Sequence, residues 1–134
     1  MSSFPLKIVT PDGLYFDGEA EKVVVRAVTG DIAILARHVN CVLPLGMGRA
    51  VVEADGQRRY AACIGGMISV NGGSVTLVPT TFEWAESIDV ARAQASQERA
   101  ETTLRNANAT DTDIQLAQAR LSRALVRKSV ASYK

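Results

Sequence analysis

The sequence predicts an α+β protein, an N-terminal antiparallel β-sandwich followed by a C-terminal antiparallel α-helical hairpin. Three observations carry that expectation. Residues 1–86 hold short segments of alternating polarity punctuated by glycine turns, the pattern of many short strands. From Ser87 onward there is no Gly and no Pro, and Ala is frequent, which favours helix. Charge divides at the same place: residues 1–86 carry 7 Lys/Arg against 9 Asp/Glu, and residues 87–134 carry 8 against 5.

Taken in order, short strands are expected at Leu6–Thr10 and Tyr15–Glu19. Lys22–Val28 alternates strictly, with Val23, Val25 and Ala27 on one side and Lys22, Val24 and Arg26 on the other. Ile32–Leu35 follows. Asp55-Gly56 lies between Arg49–Ala54 and Gln57–Ala62, and Asn71-Gly72-Gly73 lies between Met67–Val70 and Ser74–Val78. Both turns favour positive φ and predict hairpins. Gly65-Gly66 and Gly72-Gly73 are expected as hairpin or bulge glycines, since no helix with Lys-Ser/Thr follows as a phosphate loop requires. The last strand is expected at Thr81–Ala85.

The first helix is expected from an N-cap at Ser87 to about Arg105, with a thin stripe of Ile88, Ala91, Ala95 and Leu104. Residues 106–112 form a polar break. Thr110 with Asp113 resembles a capping box and starts a second helix over Asp111–Ser129, with Ile114, Ala117, Leu121, Ala124 and Leu125 as its stripe. The expected domains are 1–86, the sandwich, and 87–134, the hairpin. A hairpin of that size seldom folds alone, so its stripe must dock on the sandwich or on a partner.

Composition narrows the function. A net charge of +1 and 5% aromatic residues argue against a polyanion binder or a stacking platform for single strands. His38 is the single histidine and Cys41 and Cys63 are the two cysteines, without CxxC or HExxH spacing, so neither a zinc site nor a disulfide framework is expected. The start lacks a charged segment followed by an apolar run, and no stretch approaches the ~18 apolar residues of a membrane span. A soluble protein of a reducing compartment is expected.

Several segments are familiar in sequence. Ile8-Val-Thr-Pro-Asp-Gly13, Phe16-Asp-Gly-Glu-Ala-Glu-Lys-Val-Val-Val25, Gly30-Asp-Ile-Ala-Ile-Leu-Ala-Arg-His38, Gly65-Gly-Met-Ile-Ser-Val70 and Ile88-Asp-Val-Ala-Arg-Ala93 occur in this order. The set resembles the epsilon chain of F-type ATP synthases over nearly the whole chain. Ala36, where the family usually has Pro, and Cys41 and Leu43 depart from the pattern. The resemblance implies a non-catalytic rotor subunit with no required cofactor. It implies a sandwich that touches the gamma subunit and the c-ring loops, at the cytoplasmic face of the bacterial plasma membrane. It also implies a mobile hairpin that inhibits ATP hydrolysis when extended against the catalytic beta and alpha subunits. In some bacterial members the folded form binds ATP.

Carried onto this chain, the ATP-binding positions would be Glu83, Ile88, Asp89, Arg92, Ala93, Arg99, Arg123 and Arg127. Arg92 and Arg99 are seven apart on one helix, and Arg123 and Arg127 are four apart on the next, so the two rows can converge on phosphate oxygens. A solvated basic face is the plain alternative. The resemblance implies that Arg120, Arg123, Arg127 and Lys128 would form the inhibitory helix end, facing an acidic segment of the beta subunit. Asp31, Arg37 and His38 fall in what reads as one loop region and are the expected ring and stalk contacts; a turn histidine with a structural hydrogen bond is the alternative for His38. Phe82 and Trp84 are expected as packing residues. Beside the rotor subunit stand two other classes: an ATP-binding sensor whose hairpin closes on nucleotide, and a small enzyme, which lacks any nucleophile, base and orienting group in a recognisable set.

Overall fold

The structure is a computed structural model and describes residues 2–133. Ten strands come first: β1 (Phe4–Thr10), β2 (Gly13–Ala20), β3 (Lys22–Ala27), β4 (Gly30–Leu35), β5 (Cys41–Pro44), β6 (Met47–Ala54), β7 (Gln57–Ile64), β8 (Met67–Asn71), β9 (Ser74–Val78) and β10 (Thr81–Trp84). A single 3-10 turn at Ala85–Ser87 leads to α1 (Val90–Arg105) and α2 (Asp111–Ala131). The chain divides into two compact units, one through Trp84 and one from Ala85.

The strands form two five-stranded sheets, ordered β2-β1-β9-β8-β5 and β10-β7-β6-β3-β4. Their inner faces meet in one core. Val23, Val25 and Ala27 of β3 are buried while Lys22 and Val24 are half-buried and Arg26 is exposed, as the alternation predicts. Phe4, Leu6 and Ile8 from β1 and Val75 and Leu77 from β9 face them from the other sheet. Phe82 closes the core, edge-on to Tyr15 at 5.4 Å and to Trp84 at 4.9 Å between ring centroids. Burying such apolar surface is the dominant stabilising term in a sandwich. Cys41 and Cys63 are free thiols, and burial pushes the Cys63 thiol up to about 12.

Asp55 (φ 53°) and Gly56 (φ 73°) make the expected mirror-image turn, with Ala54 paired to Gln57. Gly72-Gly73 turns β8 into β9, with Asn71 opposite Ser74. Other expectations need correction. Gly65-Gly66 is not a hairpin: β7 and β8 lie in different sheets, and the pair carries the chain across. Gly66 has φ +87°, and a Cβ there would lie 2.0 Å from the carbonyl oxygen of Val78. β5 was not expected; four residues ending in proline are too few to show a period. β1 and β9 pair in parallel, an exception in an otherwise antiparallel sandwich. Val28 leaves β3 for an exposed turn, and Ala85 belongs to the 3-10 turn rather than to the last strand.

Gly66→Ala should therefore be among the most damaging single-atom changes in the sandwich. Left-handed strain and a backbone clash together cost roughly 3 kcal/mol or more. Urea unfolding of the full chain checks this; an unmoved midpoint would contradict the crossing geometry.

Candidate functional site

The helical unit is built on alanine. Ala93 and Ala100 of α1 and Ala117, Ala124 and Ala131 of α2 are buried, each seven residues from the next in its helix. Side chains this small let two helices approach closely along a heptad seam. Ile114 and Leu121 are half-buried beside it. Thr110 caps α2 in a capping box, its hydroxyl accepting from the Asp113 amide at 3.1 Å while Asp113 accepts from the Thr110 amide at 3.1 Å. The expected stripes were partly out of phase. Leu125 is exposed, as are Ala91 and Ala95. The α1 stripe was counted from Ile88, yet the N-cap is Asp89, not Ser87, and Ile88 lies before it, so its position sets no helical phase.

Lys128 occupies the seam row of Ile114 and Leu121. Its Nζ donates to Oε1 of Gln94 at 2.6 Å and to Oε1 of Gln97 at 2.8 Å, across 34 and 31 residues of chain. These two glutamines were not anticipated, since nothing local in the sequence links them to Lys128. The half-buried ammonium is satisfied by two amide dipoles rather than by a carboxylate.

The start of α1 gives most of Ile88-Asp-Val-Ala-Arg-Ala93 a local role. Ile88 is buried, Asp89 Oδ1 accepts from the Arg92 amide at 3.0 Å as N-cap, and Ala93 enters the seam. Arg92 remains exposed in the first turn. There it faces the positive end of the helix dipole, where a cation is disfavoured and an anion is welcome.

The two arginine rows meet on one side of the hairpin. Arg99 and Arg120 line a single open cleft of about 550 Å³ with Ala95, Glu98, Thr102 and Thr103. Arg92 lies seven residues before Arg99 and Arg127 seven after Arg120, so both rows continue along the faces that bound this cleft. Arg123, one turn beyond Arg120, is exposed; Arg127 is half-buried and engaged with a neighbour. Among the described residues no ion pair is found for the side chains of Arg92, Arg99, Arg120 or Arg123. Glu83 lies in β10 of the sandwich, half-buried and already partnered. Trp84 is a packing residue, with the Arg59 guanidinium 3.7 Å from its ring centroid.

The expected contacts on the sandwich do not form one loop region. Asp31 is the second residue of β4, where its Oδ1 accepts from Nε of Arg26 at 2.6 Å in a cross-strand pair. Arg37 and His38 lie past the far end of that strand, roughly 17 Å of extended chain away. Neighbours in sequence are separated here because a strand runs between them. Arg37 takes a left-handed φ of 69°, and His38 Nδ1 lies 2.9 Å from the Val39 carbonyl, the structural bond of a turn histidine. Asn40 Oδ1 accepts from the Gly72 amide at 2.9 Å and ties this loop to the β8–β9 turn.

A further surface escaped notice in the sequence. Pro44 pairs with Met67, Met67 with Val78, and Val9 with Leu14. Each lies on the outward face of its strand, and the parallel register that sets Ile8 opposite Leu77 brings the next residues, Val9 and Val78, side by side, so apolar side chains, half-buried at Val9, form a row across the five strands of one sheet. Met67, Val78 and Leu14 are 48%, 47% and 58% exposed. The legible signal was Met or Val at positions where an outward strand face ordinarily carries polar residues.

The Lys128 contact yields a test. Gln94→Leu with Gln97→Leu strands the ammonium in the seam and should destabilise the helices by about 1–3 kcal/mol, the penalty for an unsatisfied polar group. Adding Lys128→Met should restore most of that loss. Melting followed by helical circular dichroism measures the coupling, and additive effects would refute it.

Comparison with known proteins places the chain. The family described as ATP synthase, Delta/Epsilon chain, beta-sandwich domain matches residues 3–85, and the long alpha-helix domain of the same chain matches residues 86–132. An ATP synthase epsilon chain of Bacillus velezensis is 44% identical over 131 residues, covering 98% of each chain. One from Ruminococcus albus is 36% identical over 135 residues, covering 100% of each. Among solved structures, a chain of the Euglena gracilis mitochondrial ATP synthase (OSCP, F1 and c-ring) superposes with a TM-score of 0.84 at 19% identity, covering 100% of this chain and 83% of that one. That likeness concerns the fold, while the sequence relatives and both matching domains concern descent. The chain belongs to the ATP synthase epsilon-chain family, the family of a non-catalytic central-stalk component.

Proposed function

We propose that this chain joins the rotor of a proton-translocating ATP synthase, with its sandwich fixed to a gamma subunit and to the loops of a c-ring. The observation that carries the reading is the exposed apolar row from Pro44 through Met67 and Val78 to Val9 and Leu14. Contiguous apolar surface on a soluble domain marks a partner interface, and permanent interfaces are the more apolar ones. The row suits a permanent stalk partner such as gamma. The Asp31–Arg26 pair, at the end of β4 away from His38, suits the polar loops of a ring. Contacts by Asp31 and by His38 would therefore fall on different subunits. Among the described residues no helix is long and apolar enough to cross a membrane. Attachment at the cytoplasmic membrane face would run through partners.

The hairpin supplies the regulatory half of the proposal. Its arginines on α2, Arg120, Arg123 and Arg127, joined by Lys128 once that side chain leaves Gln94 and Gln97 in the seam, would pair with an acidic segment of a catalytic beta subunit when extended and hold back hydrolysis. ATP would favour the folded hairpin by engaging the same arginines, so the two states compete for one set of charges. The free-standing nucleotide sensor remains the second reading, favoured by the cleft shared by Arg99 and Arg120.

One reconstitution tests both halves. Met67→Asp with Val78→Asp should abolish co-purification with gamma while the isolated chain keeps its fold, because both side chains are solvent-facing. Arg123→Ala with Arg127→Ala should leave assembly intact and raise ATP hydrolysis severalfold. Full gamma binding by the first variant would remove the apolar row as the seat. Unchanged hydrolysis in the second, with the subunit present, would remove the electrostatic brake.

A further inference from the structure

We infer that Arg26 is a contact residue at the charged end of the sandwich, and that it acts with Asp31 as one polar clamp for the turn that joins two antiparallel helices of a partner. The inference rests on the reading of this end as the seat of a ring's polar loops. It names a further residue for that contact and the chemistry by which it would select its loop.

Arg26 and Asp31 face each other across the β3–β4 hairpin, whose turn is Val28-Thr29, with Ala27 opposite Gly30. Arg26 Nε donates to Asp31 Oδ1 at 2.6 Å. The stem of the arginine lies against two glycines. A Cβ at Gly48 would stand 2.6 Å from Arg26 Cβ and 3.1 Å from its Cγ, and one at Gly46 would stand 3.6 Å from that Cγ. Glycine inside a strand weakens it, and it marks a place where another group has to come close. Here Gly48 lies within β6, and the group that comes close is the arginine stem. The Gly46 amide donates to the Arg26 carbonyl at 2.9 Å and the Gly65 amide to the Gly46 carbonyl at 3.0 Å, so the cradle is tied to the neighbouring crossing. Yet the two side chains it serves are 52% and 58% exposed. An ion pair in that setting adds little to folding. A strand weakened by glycine in order to seat an exposed pair is better explained by a partner outside the chain than by the stability of the sandwich.

Nε is one of five guanidinium donors. Among the described residues no partner is found for either Nη of Arg26 or for Oδ2 of Asp31. The bond through Nε fixes the plane of the guanidinium, which leaves its Nη donors beside a free carboxylate oxygen. The end of a helical hairpin has the matching pattern. One helix enters the turn with unpaired carbonyls and the negative end of its dipole, and the other leaves it with unpaired amides and the positive end. Arg26 suits the carbonyls and Asp31 suits the amides. A strand edge has only a small net dipole and no such separated ends. Val28, in the same turn, is 64% exposed, and its amide donates to the Pro44 carbonyl at 3.2 Å. Pro44 is one end of the apolar row, so the clamp and that row adjoin.

The experiment measures binding of the full chain, in complex with gamma, to detergent-solubilised c-ring at several salt concentrations. Arg26→Ala and Asp31→Ala should each weaken ring binding by roughly fivefold or more and flatten its salt dependence. Both should leave gamma binding and the melting temperature as in wild type. Arg26→Lys, which keeps the charge without the fork, should fall between Arg26→Ala and wild type. The exchanged variant, Arg26→Asp with Asp31→Arg, keeps opposite charges face to face but reverses their order, and it should not regain affinity. Full recovery by that variant would show a pair that serves only the β3–β4 hairpin and would overturn the clamp. Wild-type affinity in Arg26→Ala would overturn it too; if Asp31→Ala were still weak, the ring reading would stand on the carboxylate alone. If neither single variant altered ring binding, the ring reading of this end would fall together with the clamp.

Discussion

The alanine seam between α1 and α2 is the constraint on which the behaviour of this chain depends. Burying an alanine methyl contributes about 0.8 kcal/mol, against roughly 1.5–3 kcal/mol for a leucine or isoleucine side chain. A seam of Ala93, Ala100, Ala117, Ala124 and Ala131, with Val130 the one larger fully buried side chain of the two helices and Leu104, Ile114 and Leu121 only half-buried, gains close packing but less apolar free energy than a leucine seam would. Two helices of 16 and 21 residues held this lightly are governed by a few polar contacts. Lys128 between two glutamines is such a contact, and an anion shared by facing arginines would be another.

The sandwich has the opposite character. Its large buried side chains come from both sheets, and three chain crossings between the sheets lie near one another: Leu45-Gly46, Gly65-Gly66 and Pro79-Thr80. They are cross-linked by the Leu45 amide to the Gly66 carbonyl at 2.9 Å, the Gly65 amide to the Gly46 carbonyl at 3.0 Å and the Thr80 amide to the Ile64 carbonyl at 3.1 Å. The Asp31–Arg26 pair shares this stiff end. Gly48 serves the same pair, since a Cβ there would meet Arg26 Cβ at 2.6 Å. A rigid body with a charged end and an apolar outer row suits a component that passes force between partners.

Much of this was legible in the sequence because it is local. Strict alternation in Lys22–Ala27, the Asp55-Gly56 turn and the Thr110/Asp113 box each fix structure within a few residues. The features that were misread depend on long-range placement or on a boundary. Ile88 looked like the first helical residue, and one displaced cap put Ala91 and Ala95 on the wrong face, while Leu104 is half-buried as expected. Asp31 and His38 were read as one loop region although a strand at Ile32–Leu35 was itself expected between them, and that strand holds them apart. Lys128 with Gln94 and Gln97, and Arg120 with Arg99, need the register of two helices before they can be paired. The arginine rows themselves were readable from their spacing, whereas the cleft that joins them was not.

Native-state amide hydrogen exchange on the full chain tests the central claim, that the two units differ in stability because they bury such different side chains. Amides in α1 and α2 should exchange through openings that cost clearly less free energy than global unfolding. Those in β1, β3, β6 and β9 should exchange only with global unfolding. Protection in α2 equal to that of the central strands, with the same denaturant dependence, would show one cooperative unit and contradict an alanine seam that leaves the hairpin free to move.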